Sequence, residues 1–263
     1  MKTTNRKHLA LFGAILLGIA PLSGCGHYTT QRTSNVLTYL YPGETQPLEI
    51  SKAISKTSLA NTPRPIILGI AFVPESRTIS NGGDTKIEPL TEKMKMEMMR
   101  ELTVQLRQYS IFAEIEEIPS TYLKIGGSFA NLEQIRAMTG VDVIGLVSYD
   151  QVQFTDRGLI SLLYWTGIGW YFVPGEKNDT KTMMDAALYH IPTQKPLLRA
   201  TGQSGVYHYS TPMNQSQNLR DDSESGFKEA LRMLAENFKE QLDLVKPKVV
   251  QGTTSSPIAS SGK

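Results

Sequence analysis

Few side chains in this 263-residue chain are of a type that does chemistry on its own: one thiol, Cys25, and four imidazoles, His8, His27, His190 and His208. A lone thiol can be alkylated, but it can form neither an internal disulfide nor a multi-cysteine metal centre. Cys25 closes an apolar stretch and follows Leu22 and the two small residues Ser23 and Gly24. The imidazoles form no i,i+4 pair and no close cluster of the kind zinc sites use. His208 sits in Tyr207-His208-Tyr209, whose alternation reads as a cross-strand packing row. Gly202-Gln203-Ser204-Gly205 approaches a nucleophile elbow, but Val206 stands where that motif needs its closing glycine. Asp221, Asp222 and Glu224 read as negative charge leading into a closing helix, where the helix dipole favours it; a bound cation is the alternative. Asn178-Asp179-Thr180 reads as a polar turn, with a small binding loop as the alternative. These residues assign no catalytic group, no metal site and no cofactor.

The elements that would position Cys25 come before it. Lys2, Arg6 and Lys7 precede the twelve-residue apolar run Leu9 to Ala20. As a helix that run rises about 18 Å, short of the ~30 Å hydrocarbon core, so residues 1–24 read as a cleaved export signal and not a permanent span. Leu22-Ser23-Gly24-Cys25 resembles the bacterial lipobox. That resemblance implies a diacylglycerol on the Cys25 thiol, cleavage after Gly24 and an N-acyl chain on the new α-amine. Acyl chains contribute about 0.8 kcal/mol per buried CH₂, so the implied partner is a membrane, held through lipid. Gly26, in place of an aspartate, implies by the same sorting rule the periplasmic face of the outer membrane, with the inner membrane as the alternative. Removing Lys2, Arg6 and Lys7 from the 27 basic residues leaves 24 against 25 acidic ones, so nothing points to nucleic acid.

The mature chain divides into a lipidated N-terminus and tether over 25–64, an α/β body over 65–246 and a Ser/Thr/Gly/Pro-rich disordered tail over 247–263. Within the tether, Val36 to Pro42 is an apolar-aromatic cluster expected to pack on the body, with partner docking as the alternative. Ile66 to Val73 predicts a strand, followed by a polar loop containing Asn81-Gly82-Gly83-Asp84. Leu90, Met94, Met98, Leu102 and Leu106 step by four and predict a helix over 89–109, its methionines filling the core. A strand over 111–118, a helix over 131–139 ended by Gly140 and a strand from Val141 follow. This alternation predicts parallel pairing. Antiparallel strands over 182–191 and 196–209 and a helix over 224–244 complete one mixed sheet.

One segment stands apart. Gly158 to Gly175 holds both tryptophans of the chain, and its arms flank Thr166-Gly167 as in a hairpin. Tyr164, Trp165, Trp170, Tyr171 and Phe172 are its candidate interaction residues. Arms of about six residues are too short for a membrane-spanning hairpin, which needs about 9–11 per strand. Two uses stay open: contact with a bilayer surface or partner, and cover for the body's own core.

Tyr164-Trp165-Thr166, Gly169, Gly175 to Thr180, Thr182 and Asp185-Ala186-Ala187 resemble the rhombotarget lipoproteins, as do the lipobox and Tyr39-Leu40-Tyr41-Pro42. The likeness runs over about 30–245 and implies no established activity. That family is named for members whose tail a rhomboid-type protease reads; Pro257 to Lys263 departs from the paired glycines and apolar helix of such tails. The body also resembles the lipoprotein domains of curli secretion and of penicillin-binding-protein activators. Together these imply a non-enzymatic binding or accessory module with an envelope protein partner, in envelope assembly or protein sorting. The alternatives are a periplasmic hydrolase and a subunit of an oligomeric secretion complex.

Overall fold

The computed structural model describes residues 27–43, 59, 62, 65–81, 90–157, 176–210 and 214–245. Cys25, the lipobox and the aromatic segment from 158 to 175 lie outside the described residues, as does the tail from 246. Seven strands form one mostly antiparallel sheet: β1 (His27–Ser34), β2 (Ile66–Phe72), β3 (Glu75–Asn81), β4 (Phe112–Ile118), β5 (Val143–Arg157), β6 (Glu176–His190) and β7 (Lys195–Ser210). The helices are α1 (Val36–Leu40), α2 (Glu92–Leu106), α3 (Ser128–Thr139) and the 31-residue α4 (Gln215–Val245). The mixed α/β sheet, the parallel pairing of β2 with β4 and β5, and the antiparallel β6–β7 pair agree with the sequence.

β5 organises the sheet. One edge pairs with β6 along its whole length. The other is shared end to end: Val143 to Val147 pair with β2, and Asp150 to Asp156 pair with β1, running antiparallel. At the changeover Val73 still donates to the Val147 carbonyl (2.9 Å), and then Pro74, which has no N–H, breaks the ladder. The chain steps outward into β3, and β1 occupies the place left open. Ser34 Oγ accepts from the Tyr149 N–H there (3.0 Å), so the gap in pairing strands no buried donor.

Two departures follow. Residues 27–43 are not tether: β1 is an interior strand, and α1 packs Val36, Tyr39 and Leu40 into the core as the cluster at 36–42 was expected to do. Residues 75–81 are strand β3, not loop. Both strands escape pattern recognition because they are polar, HYTTQRTS and ESRTISN, with no apolar alternation.

The half of the sheet around β2 has two apolar faces. One packs Leu68, Ile70, Phe72, Met98, Met99 and Leu102 with Phe227, Leu231 and Leu234 of α4. The methionines are core, as expected. The other face packs Ile144, Leu146 and Tyr189 against Phe129, Leu132 and Ile135 of α3. Asn131, buried in α3, accepts from the Tyr39 hydroxyl (3.0 Å) and the Lys124 N–H (2.8 Å), tying α1 to the body. Gly140 ends α3 at φ +76, as a glycine C-cap does.

At the start of α2, Glu92 accepts from the Ser120 N–H (2.7 Å) and lies 3.7 Å from Lys95. Burial pushes the Glu92 carboxyl up, but Ser120 and Lys95 outweigh it and hold the group below its usual range. A depressed native pKa adds stability above the unfolded value of about 4.5 and loses it as pH falls through the native value. Glu92→Gln is therefore expected to cost about 1 kcal/mol at pH 7 and progressively less below pH ~4, checked by urea melts across that range.

Candidate functional site

Beyond Ser34 and Tyr149 the sheet continues as β3-β1-β5-β6-β7, and its two faces differ. The face toward α4 is polar yet buried: Thr30, Arg32, Gln151, Thr155, Asn178, Thr180, Thr182 and Ser210. Gln151 donates to Thr182 Oγ1 (2.8 Å) and to the Ser223 carbonyl (3.1 Å). Gln153 spans from Thr180 Oγ1 (3.1 Å) to the Leu219 carbonyl (2.8 Å). Asn178 donates to Ser210 Oγ (2.8 Å). The Arg32 guanidinium donates to Gln151 Oε1 and Ser223 Oγ, and lies 5.2 Å from the Phe227 ring centre. Burial pushes Arg32 below its ordinary pKa, opposed by Tyr149 and Glu75 nearby.

This ladder explains why α4 begins at Gln215 and not at 224. Its first turns dock through hydrogen bonds, so they carry no apolar period. Asp221 and Asp222 consequently lie inside the helix and do not cap its start. Likewise Asn178-Asp179-Thr180 is strand, not turn, with Asn178 and Thr180 fully buried.

His208 points to this face, where Nδ1 hydrogen-bonds Asp222 Oδ1. Burial raises the Asp222 carboxyl above its usual range, His208 opposes it, and Oδ2 is buried with no partner. Among the described residues the pair has a base and an orienting acid but no hydroxyl hydrogen-bonded to it; Ser210 Oγ accepts a hydrogen bond from Asn178 Nδ2 instead. The grooves along β4 and over Gly205 are both lined by other residues. His190 Nδ1 meets only Thr193 Oγ1 (2.8 Å) in the β6–β7 turn. Ser204 Oγ donates to the Gly226 carbonyl (2.7 Å), a helix-docking bond. Among the described residues no group of three His, Cys, Asp or Glu side chains could hold a metal ion.

No described element covers the opposite face of the same strands. Register rows run Thr33, Asp150, Met183, Gln203; Gln31, Val152, Lys181, Gly205; Thr29, Phe154, Asp179, Tyr207; and His27, Asp156, Lys177, Tyr209. Phe154 is 38%, Tyr207 58% and Tyr209 70% exposed. Lys181 lies over the Phe154 ring at 5.9 Å and Lys177 over Tyr207 at 5.8 Å. A groove of about 540 Å³ runs over Gly205, between Val152, Met183, Lys181 and Tyr207. The sequence read Tyr207 and Tyr209 as packing; the fold leaves them in the open, because only His208 between them faces α4.

The described residues that adjoin Cys25 and residues 158–175 in the chain lie at one end of these strands. β1 begins at His27, two residues after Cys25, and His27 pairs with Asp156. Residues 158–175 leave from Arg157 and return at Glu176, which pair with each other one step further along. No described helix is long and apolar enough to cross a membrane. No protein-family model and no curated protein matches this chain.

Proposed function

We propose that this chain is an acylated bacterial envelope lipoprotein: a non-enzymatic α/β binding module held by lipid on Cys25 at the periplasmic face of the outer membrane, where it engages a protein partner in envelope assembly or sorting. One observation carries this reading. The start of β1, two residues after Cys25 in the chain, falls at the same end of the sheet as the strand ends that bound residues 158–175. The thiol proposed for acylation and the stretch holding both tryptophans thus connect to the same end of the sheet, beside an exposed tyrosine–lysine face. The resemblance to rhombotarget lipoproteins supports the same address. A second reading, a periplasmic hydrolase, draws on the His208–Asp222 pair; the binding module is favoured because, among the described residues, neither groove lies at that pair and no hydroxyl hydrogen-bonds it.

Cys25→Ala is expected to abolish palmitate incorporation in growing cells and to leave a precursor of unprocessed mass. Unchanged labelling would remove the lipoprotein reading. In-cell crosslinking followed by mass spectrometry then identifies the protein held by the anchored form; recovery of only small-molecule turnover by purified protein, lost in His208→Gln, would instead favour the hydrolase.

A further inference from the structure

We infer that the exposed sheet face is the surface by which the body lies on the bilayer, with Tyr209, Tyr207 and Phe154 at headgroup depth and Lys177 and Lys181 toward lipid phosphates. The inference rests on acylation of Cys25 and goes beyond it, because a lipid anchor alone fixes where the chain is held, not which side faces the membrane.

Distance supplies the argument. Two residues of extended chain reach at most about 7 Å, so acyl chains on Cys25 place the start of β1 at the headgroups. The His27 row continues across the sheet through Lys177 to Tyr209, three strand spacings away, or about 14 Å. The next row on this face, with Phe154 and Tyr207, lies about 7 Å further along the strands. Both rows therefore fall within a short radius of the anchor, with no slack to hold the body away.

Chemistry points the same way. Tyrosine favours the membrane–water boundary, where its ring is in apolar surroundings and its hydroxyl in water, and lysine extends its charge past such rings toward phosphate. Of the acidic groups on the face, Asp179 lies 3.6 Å from Lys181 and Asp150 accepts from Gln31 Nε2 (2.9 Å). The α4 side offers no such surface, since its strand residues are spent on the buried polar ladder.

The single native cysteine makes a clean experiment available. Once Cys25 is acylated, an introduced cysteine is the only free thiol. Full-length acylated protein carrying Tyr207→Cys or Tyr209→Cys, with Val104→Cys and Leu244→Cys as exposed controls on α2 and α4, on the opposite side of the sheet, is labelled with an environment-sensitive fluorophore. It is then reconstituted into phosphatidylethanolamine–phosphatidylglycerol vesicles containing headgroup-spin-labelled lipid. Quenching is expected at 207 and 209 and not at 104 or 244. Lys177→Glu combined with Lys181→Glu is expected to reduce quenching at 209. Equal quenching at all four positions overturns the inference. So does protection of 207 and 209 from aqueous iodide without lipid quenching, which would assign the face to a protein or a second copy. The N-terminal peptide mass of the same preparation separates the two layers: acylated Cys25 without quenching removes only the membrane-facing surface, and unmodified Cys25 removes that surface and the lipoprotein reading together.

Discussion

Gly202→Ala is expected to be the most damaging small substitution in the body, costing at least about 3 kcal/mol, at the upper end of overpacking effects. A Cβ built on Gly202 would lie 2.0 Å from the Ala230 carbonyl oxygen and 2.4 Å from the Leu234 nitrogen. Both are backbone atoms of α4, so no rotamer change relieves the contact; the helix must lift from β7. Lifting it opens a gap beneath Phe227, Leu231 and Leu234, all fully buried, and loosens two parts of the core for one methyl group. At about 2–4 °C per kcal/mol for a domain of this size, the melting temperature should fall by roughly 10 °C. Gly205→Ala is the control: that glycine is exposed, and a Cβ there meets only the Tyr207 ring at ordinary distance. Similar melting temperatures for the two variants would show that α4 does not rest on β7 as described.

The second large effect belongs to Arg32. Removing one member of a buried charged network leaves the others without partners, at a cost of about 3–5 kcal/mol. Arg32→Ala would remove the guanidinium's hydrogen bonds to Gln151 Oε1 and Ser223 Oγ, leaving Gln151 Oε1 only the Ser223 hydroxyl as donor, and take the guanidinium away from Phe227. Arg32→Met keeps the volume and the packing on Phe227, so it should cost distinctly less. Urea denaturation of the pair checks this. If Arg32→Ala unfolds at the wild-type midpoint, the polar ladder between the sheet and α4 contributes nothing, and the docking of residues 215–226 needs another cause.

These two sites mark the boundary of what could be read from the sequence. Around β2 the core is apolar on both faces, and its elements announce themselves: the run Ile66 to Val73, the four-residue steps from Leu90 to Leu106, the stop at Gly140. Beyond Tyr149 the buried face is made of Thr30, Arg32, Gln151, Asn178, Thr180 and Thr182, residues that in a sequence look like loop or tether. All but Thr30 find a side-chain hydrogen-bond partner on the next strand or on α4, and such partners are distant in the chain and leave no period. That is why β1, β3 and the first turns of α4 were not legible, and why Asn178-Asp179-Thr180 looked like a turn. The candidate site shares this limit. Cys25 is legible because its signal is local and contiguous. The exposed face is not, because Tyr207, Phe154, Lys177 and Lys181 become neighbours only once β5, β6 and β7 are in register.

The interior position of β1 also sets an order of events during synthesis. Arg32 and its partner Gln151 are 119 residues apart, so β1 can meet β3 on one edge well before β5 is made, while its other edge stays open until then. An apolar strand with an edge kept open that long would be a template for aggregation. Thr29-Thr30-Gln31-Arg32-Thr33-Ser34 is polar while it waits, and it becomes an interior strand only when β5 arrives to meet it.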